Sequence, residues 1–151
     1  MDVAQLNDFA ARYTAAWCSQ DPDRVASFYA ENGSLTINKG TSSTGRAAIA
    51  AAAQDFFKTF PDLVVKMDRF DVLDGDPHLN PLPEGEAEEE KSIKSAVYHW
   101  TLVGTNTGPE GTGNAVRISG YEQWRLSPDG LIAESKGHFD EADYQRQLKG
   151  G

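Results

Sequence analysis

Ala115-Val-Arg-Ile-Ser-Gly-Tyr-Glu122-Gln-Trp-Arg-Leu126 is the stretch on which the fold turns. Val116, Ile118, Trp124 and Leu126 share one parity, while Arg117, Ser119, Tyr121, Gln123 and Arg125 hold the other. A period of two is that of a half-buried β-strand, apolar on one face and polar on the other. Glu122 breaks the pattern, because it places a carboxylate on the apolar parity. Unpaired buried charge is expensive, so this side chain must be ion-paired, protonated or open to a water-filled cavity.

Downstream of this strand, Ser127-Pro128-Asp129-Gly130 reads as a four-residue hairpin turn, with glycine where positive φ is tolerated. Residues 131–139 then read as a further strand, and Asp140 as the cap of a short last helix through residue 147. Upstream, residues 94–105 and 63–73 also alternate as strands. Earlier still the period changes to 3.6. Leu6, Phe9, Ala10, Tyr13, Ala16 and Trp17 form one wide apolar stripe of a first helix, with Asp2 as its cap. Pro22 opens a second helix that Asn32-Gly33 ends, and residues 34–38 read as a short strand. A Ser/Thr/Gly loop follows at 40–45. An alanine-rich third helix then runs over 46–59 with Ile49, Phe56, Phe57 and Phe60 inward, and Pro61 closes it. Helices first and a meander of long strands after indicate α+β architecture in a single domain over 1–151. A curved sheet wrapped around the long first helix makes a cone with a hole at its wide end.

The net charge of −9 is local. Asp74, Asp76, Glu84, Glu86, Glu88, Glu89 and Glu90 against Lys91 hold −6 of it, interleaved with Pro77, Pro81 and Pro83. Residues 75–92 are therefore expected to be a flexible, solvated insert without a core of its own. The rest of the chain carries no basic stripe of the kind nucleic acid requires. The lone cysteine, Cys18, excludes an internal disulfide framework and fits a reducing compartment. No apolar run is long enough to span a bilayer, and no leader pattern opens the chain, so a cytoplasmic protein without a membrane partner is expected.

Three stretches carry a family resemblance. They are Phe9-Ala-Ala-Arg-Tyr13-Thr-Ala-Ala-Trp17 leading into Asp21-Pro-Asp-Arg-Val-Ala-Ser-Phe28-Tyr29; Gly45-Arg46-Ala-Ala-Ile49; and Gly104-Thr-Asn-Thr-Gly108 followed by Gly120-Tyr-Glu122-Gln-Trp124 and Asp129-Gly130-Leu-Ile132. Together they resemble the nuclear-transport-factor-2-like superfamily and its SnoaL-like domains, relatives of steroid isomerases and polyketide cyclases. The resemblance implies a cystatin-like cone, a small apolar ligand, no cofactor and a homodimer packed through the outer sheet face. Tyr13 matches the tyrosine that steroid isomerases place in their oxyanion hole. Glu122 falls where those isomerases carry an aspartic acid and the cyclases a histidine. The isomerase base falls near Ile37 and the acidic residue of the cyclases near Gly137, and neither residue here can move a proton.

Glu122 and Tyr13 are thus the candidate catalytic pair, with an ion pair from Glu122 to Arg12, Arg46 or Arg69, or a bulge in its strand, as the alternative reading. Trp17, Trp124 and Asn38 are candidate ligand-lining residues. Either face of 94–105 can look inward, so Trp100 and His99 are both candidates. His138 falls on the side of Glu134 and Lys136, toward solvent or a partner. No His/Cys/Glu spacing points to a metal. The sequence leaves two functions open: an acid/base enzyme of the cyclase or isomerase kind acting on an apolar oxygenated ligand, or a non-catalytic binding or assembly module of the same fold.

Overall fold

The computed structural model of the chain describes residues 3–38, 40–73, 95–108 and 111–150. The acidic insert expected at 75–92 and the Asp2 cap lie outside the described residues. Among those described, four helices and six strands form an α+β fold, with one curved open sheet. No described helix is long and apolar enough to cross a membrane.

Helix α1 (Val3–Ser19) buries Leu6, Phe9, Ala10, Tyr13, Ala16 and Trp17, the stripe its spacing dictates. Fully burying each large side chain of that stripe contributes roughly 1.5–3 kcal/mol, so the stripe anchors the helix. Helix α2 (Pro22–Ala26) opens on Asp21, whose side chain accepts from the amides of Asp23 and Arg24. It ends sooner than Asn32-Gly33 implied, because strand β1 (Tyr29–Ile37) already starts at Tyr29. Gly33 is a strand residue at a register shift, not a helix stop. A Cβ there would stand 2.8 Å from the carbonyl oxygen of Ile132, so only glycine lets the two strands close. Strand β2 (Ser43–Thr44) lies in the expected loop, and helix α3 (Arg46–Thr59) follows.

Strands β3 (Val64–Val72), β4 (Ser95–Thr105), β5 (Ala115–Leu126) and β6 (Ile132–Phe139) form the meander, and helix α4 (Glu141–Leu148) ends it. Gly130 takes φ 81° in the β5–β6 turn, and Asp140 caps α4 by accepting from Asp143. The sheet order is β2-β1-β6-β5-β4-β3, antiparallel throughout except for the parallel β1–β6 pair. One cross-strand row positions the site. Phe70 pairs with Tyr98, Tyr98 with Glu122, Glu122 with Gly137, and Gly137 with Ile37. Residues directly opposite share a face, so all five lie on the inner side.

That row decides the face of β4 that the sequence left open. Tyr98 and Leu102 are buried inside, and Trp100 shares their parity. His99 consequently points outward. Under the sheet, Trp124 is the hub of the core. Tyr98 stacks on it at 5.2 Å, and Phe9 and Tyr13 meet it edge-on at 5.8 and 5.2 Å.

Candidate functional site

β5 alternates as its sequence dictates, and every even position from Val116 to Leu126 except Gly120 is buried, Glu122 included. Glu122 is 7% exposed as a residue. Three donors converge on one oxygen: Oε1 accepts from Ser135 Oγ at 2.7 Å, Tyr13 at 3.0 Å and Trp124 Nε1 at 3.1 Å. The Tyr29 hydroxyl stands 2.9 Å from that of Tyr13 and extends the network. Tyr29 also bears on the carboxyl as a side-chain donor. With three donors on Oε1, a neutral carboxyl is best accommodated with its proton on Oε2.

None of the arginines considered as partners reaches Glu122. Arg12 pairs with Asp8 at 2.9 Å, Arg46 donates to the carbonyl of Tyr29 at 3.0 Å, and Arg69 pairs with Asp71 at 2.9 Å. Without a cation, burial dominates and raises the Glu122 pKa above the usual carboxylate range; the donors from Ser135, Trp124, Tyr13 and Tyr29 only partly offset it. Burial, with the charge of Glu122 next to it, also pushes the Tyr13 and Tyr29 phenols well up, so both stay neutral donors.

Glu122 lies on a narrow cavity of about 50 Å³ under the sheet. Trp17, Phe56, Tyr98, Trp100 and Phe139 supply its aromatic walls, and Ile37 and Gly137 flank Glu122 along the row. The two positions at which the resemblance implied ionisable groups are thus both at the cavity and both inert. Ile37, Phe56 and Phe139 also border an outer groove of about 910 Å³, which Asn38, His138, Glu141 and Tyr144 complete. These three residues border both the inner cavity and the outer groove.

The candidate residues divide by place. Glu122, Trp17 and Trp100 line the inner cavity. Tyr13 and Trp124 stand behind Glu122 rather than on the wall, since both are committed to its Oε1 and to the aromatic core. Asn38 is in the outer groove: it takes φ 52°, accepts from the amide of Phe139 and donates to Glu141. His99 is not at the cavity. Its parity turns it to the outer face, where Nε2 lies 3.1 Å from Asp71. His138 bonds Gln123 at 3.1 Å on that face. Sequence reading missed Ser135 and Tyr29 as members of the Glu122 network and Phe56 and Phe139 as walls. The parity of β6, with Glu134, Lys136 and His138 outward, was the available signal for Ser135 and Phe139.

Known proteins carry the same fold. TsrD from Streptomyces laurentii superposes with a TM-score of 0.74 at 21% identity, covering 98% of this chain and 97% of its own. A protein from Catenulispora acidiphila with a ketosteroid isomerase-like fold, in complex with trimethylamine, gives 0.69 at 12% identity over 93% and 92%. The epoxide hydrolase/cyclase-like enzyme SalBIII, of pyran ring formation in the polyether salinomycin, gives 0.69 at 17% over 95% and 97%. At these identities the likeness speaks for the fold alone. No curated protein matches at the level of sequence. The family signature of the SnoaL-like domain matches residues 10–135, from the buried face of α1 to Ser135 beside Glu122, and the chain belongs to the SnoaL-like domain family.

Proposed function

We propose that this chain binds a compact, apolar, oxygenated molecule in the inner cavity and that Glu122 exchanges a proton with it through Oε2. The observation that carries the reading is a buried carboxyl on the wall of an apolar cavity with no cation partner, which burial holds above the usual carboxylate range. Tyr13, Trp124 and Ser135 hold Oε1 and so fix the direction in which the proton moves. A group tuned toward neutrality serves as acid and as base in turn, as isomerisation or ring closure requires. A cavity of about 50 Å³ corresponds to roughly four water positions, so the buried part of the ligand is small. A longer ligand extends past Phe56 and Phe139 into the outer groove. Pairing of two copies through the outer sheet face belongs to this reading by family likeness.

Ile37 and Gly137 favour a second reading, a binding module of the same fold, because they leave Glu122 without a second proton-transfer group along its row. Exchange of the α-protons of cyclohexanone in D2O, followed by proton NMR, separates the two. Glu122 in its ionised form takes the α-proton on Oε2 while the C–H pair becomes the enolate C=C and the carbonyl π pair moves to oxygen. The Oε2 proton then exchanges with D2O, and return of the deuteron to carbon as the carbonyl re-forms completes exchange. Catalysed exchange that Glu122→Gln abolishes supports the enzyme. Binding of the ketone without catalysed exchange supports the module.

A further inference from the structure

Among the described residues, Trp100 Nε1 is the one buried side-chain nitrogen or oxygen without a hydrogen-bond partner. Trp100 stands on the inner face, in register with Met67 and Gly120, and its ring lines the same cavity as Glu122. The indole is held, not loose. A Cβ on Gly120 would come within 2.7 Å of Trp100 Cζ2, so the ring occupies the space that glycine leaves. Phe139 braces it edge-on at 6.0 Å. The contrast with Trp124 is direct, since that indole donates to Glu122 Oε1. Native proteins pair nearly all buried donors, so one left unpaired on a residue that lines a cavity calls for an explanation.

We propose that Trp100 Nε1–H is the ligand-recognition donor of the cavity, and that it selects molecules presenting an acceptor oxygen, a carbonyl or cyclic ether, on a compact apolar ring. This rests on the reading that the cavity takes a ligand beside Glu122. The two polar points do different work. Glu122 Oε2 faces the atom that gains or loses the proton, and Trp100 receives the oxygen on which electron density collects. Apolar walls with two polar points fix orientation as well as identity. A site built around a donor rejects the analogue that lacks the acceptor, because the donor is then left unpaired.

The test uses the full chain labelled with 15N, cyclohexanone as probe, and methylenecyclohexane as the same shape without oxygen. Trp100→Phe assigns the Trp100 indole signal by its disappearance. The expected result is that cyclohexanone binds about tenfold or more tightly than the hydrocarbon and moves the Trp100 indole proton downfield. Trp100→Phe loses that preference, whereas Glu122→Gln retains it. Equal affinity for the two probes, or an unmoved Trp100 indole signal while that of Trp17 shifts, overturns the proposal and leaves the Glu122 reading standing. Binding of neither probe overturns both. The wild-type shift needs no variant, so a Trp100→Phe protein that folded poorly would not rescue the idea.

Discussion

Tyr13 on α1 donates its hydroxyl to Glu122 Oε1 on β5 across 3.0 Å, a bond that spans 109 residues of sequence. Among the described residues it is the hydrogen bond by which a helix reaches the carboxyl; Trp124 and Ser135 approach from the sheet. The first helix thereby does two things at once. Its apolar stripe fills the core, and one phenol from that stripe holds the Glu122 carboxyl by Oε1.

Tyr13→Phe removes that donor and the bond between the Tyr13 and Tyr29 hydroxyls. The expected loss is about 1–3 kcal/mol of stability by urea denaturation, the range for a buried polar group stripped of its partner. Because the donor favours the charged form, its removal also raises the Glu122 pKa further. Carbon-13 titration of the Glu122 carboxyl reads this, and an unchanged or lowered value would refute the network as drawn.

Two glycines of neighbouring register should respond oppositely to alanine. At Gly137 a Cβ meets Thr36 O at 3.6 Å and Glu122 Cγ at 3.7 Å, ordinary contact. Gly137→Ala is expected to fold normally, within about 1 kcal/mol of wild type, while narrowing the cavity. At Gly120 the nearest atom is the backbone oxygen of His138 at 2.3 Å, which cannot swing aside. Gly120→Ala is expected to cost at least about 1–3 kcal/mol, the scale of overpacking. Thermal melts of the two variants side by side check the contrast.

What the sequence made legible follows from where the pattern was one-sided. β5 and α3 carry clean periods, and their observed bounds, Ala115–Leu126 and Arg46–Thr59, match the reading. β4 carries apolar residues on both parities, so its inner face waited on the pairing of Tyr98 with Glu122. Asn32-Gly33 has the chemistry of a helix end, yet pairing of β1 with β6 overrode it. Glu122 was visible as one charge on an apolar face. Its partners were not, because Tyr13, Tyr29 and Ser135 reach it from α1, β1 and β6 and leave no local pattern. His99 lies on the outer face of a strand apolar on both parities, and Trp124 lies inward but behind Glu122, because alternation gives a side of the sheet, not depth within it.

The connection between β3 and β4 should tolerate shortening. The two strands stay paired out to Val72 and Ala96, and the amide of Leu73 still bonds the carbonyl of Ser95 at 3.1 Å. The chain ends that any linker must join are therefore already together. Replacing 75–92 by a short glycine-containing turn reduces loop-closure entropy, by about 0.6 kcal/mol for each halving of length. The shortened protein is expected to be as stable as wild type or slightly more so, and a loss of several kcal/mol would assign that segment a structural role.

The pH dependence of stability tests the state of Glu122 itself. Its folded pKa is raised by burial, so the folded chain holds the proton more tightly than the unfolded chain. The stability this contributes is complete below the ordinary glutamate range and is lost as pH rises through the raised value. Tyr13, Tyr29 and Tyr98, the phenols around it, are all shifted upward and do not titrate in that window. Glutamine at 122 mimics the neutral acid at every pH: its carbonyl takes the three donors of Oε1, and its amide stands where Oε2–H stood. Urea denaturation across a pH series should therefore find Glu122→Gln equal to wild type in acid and progressively more stable than it as pH rises. A carboxylate locked in a buried ion pair behaves in the opposite sense, since losing it strands a cation and costs about 3–5 kcal/mol near neutrality. Wild type gaining on the variant with rising pH, or a difference flat across the series, would remove the basis for proton exchange at this residue.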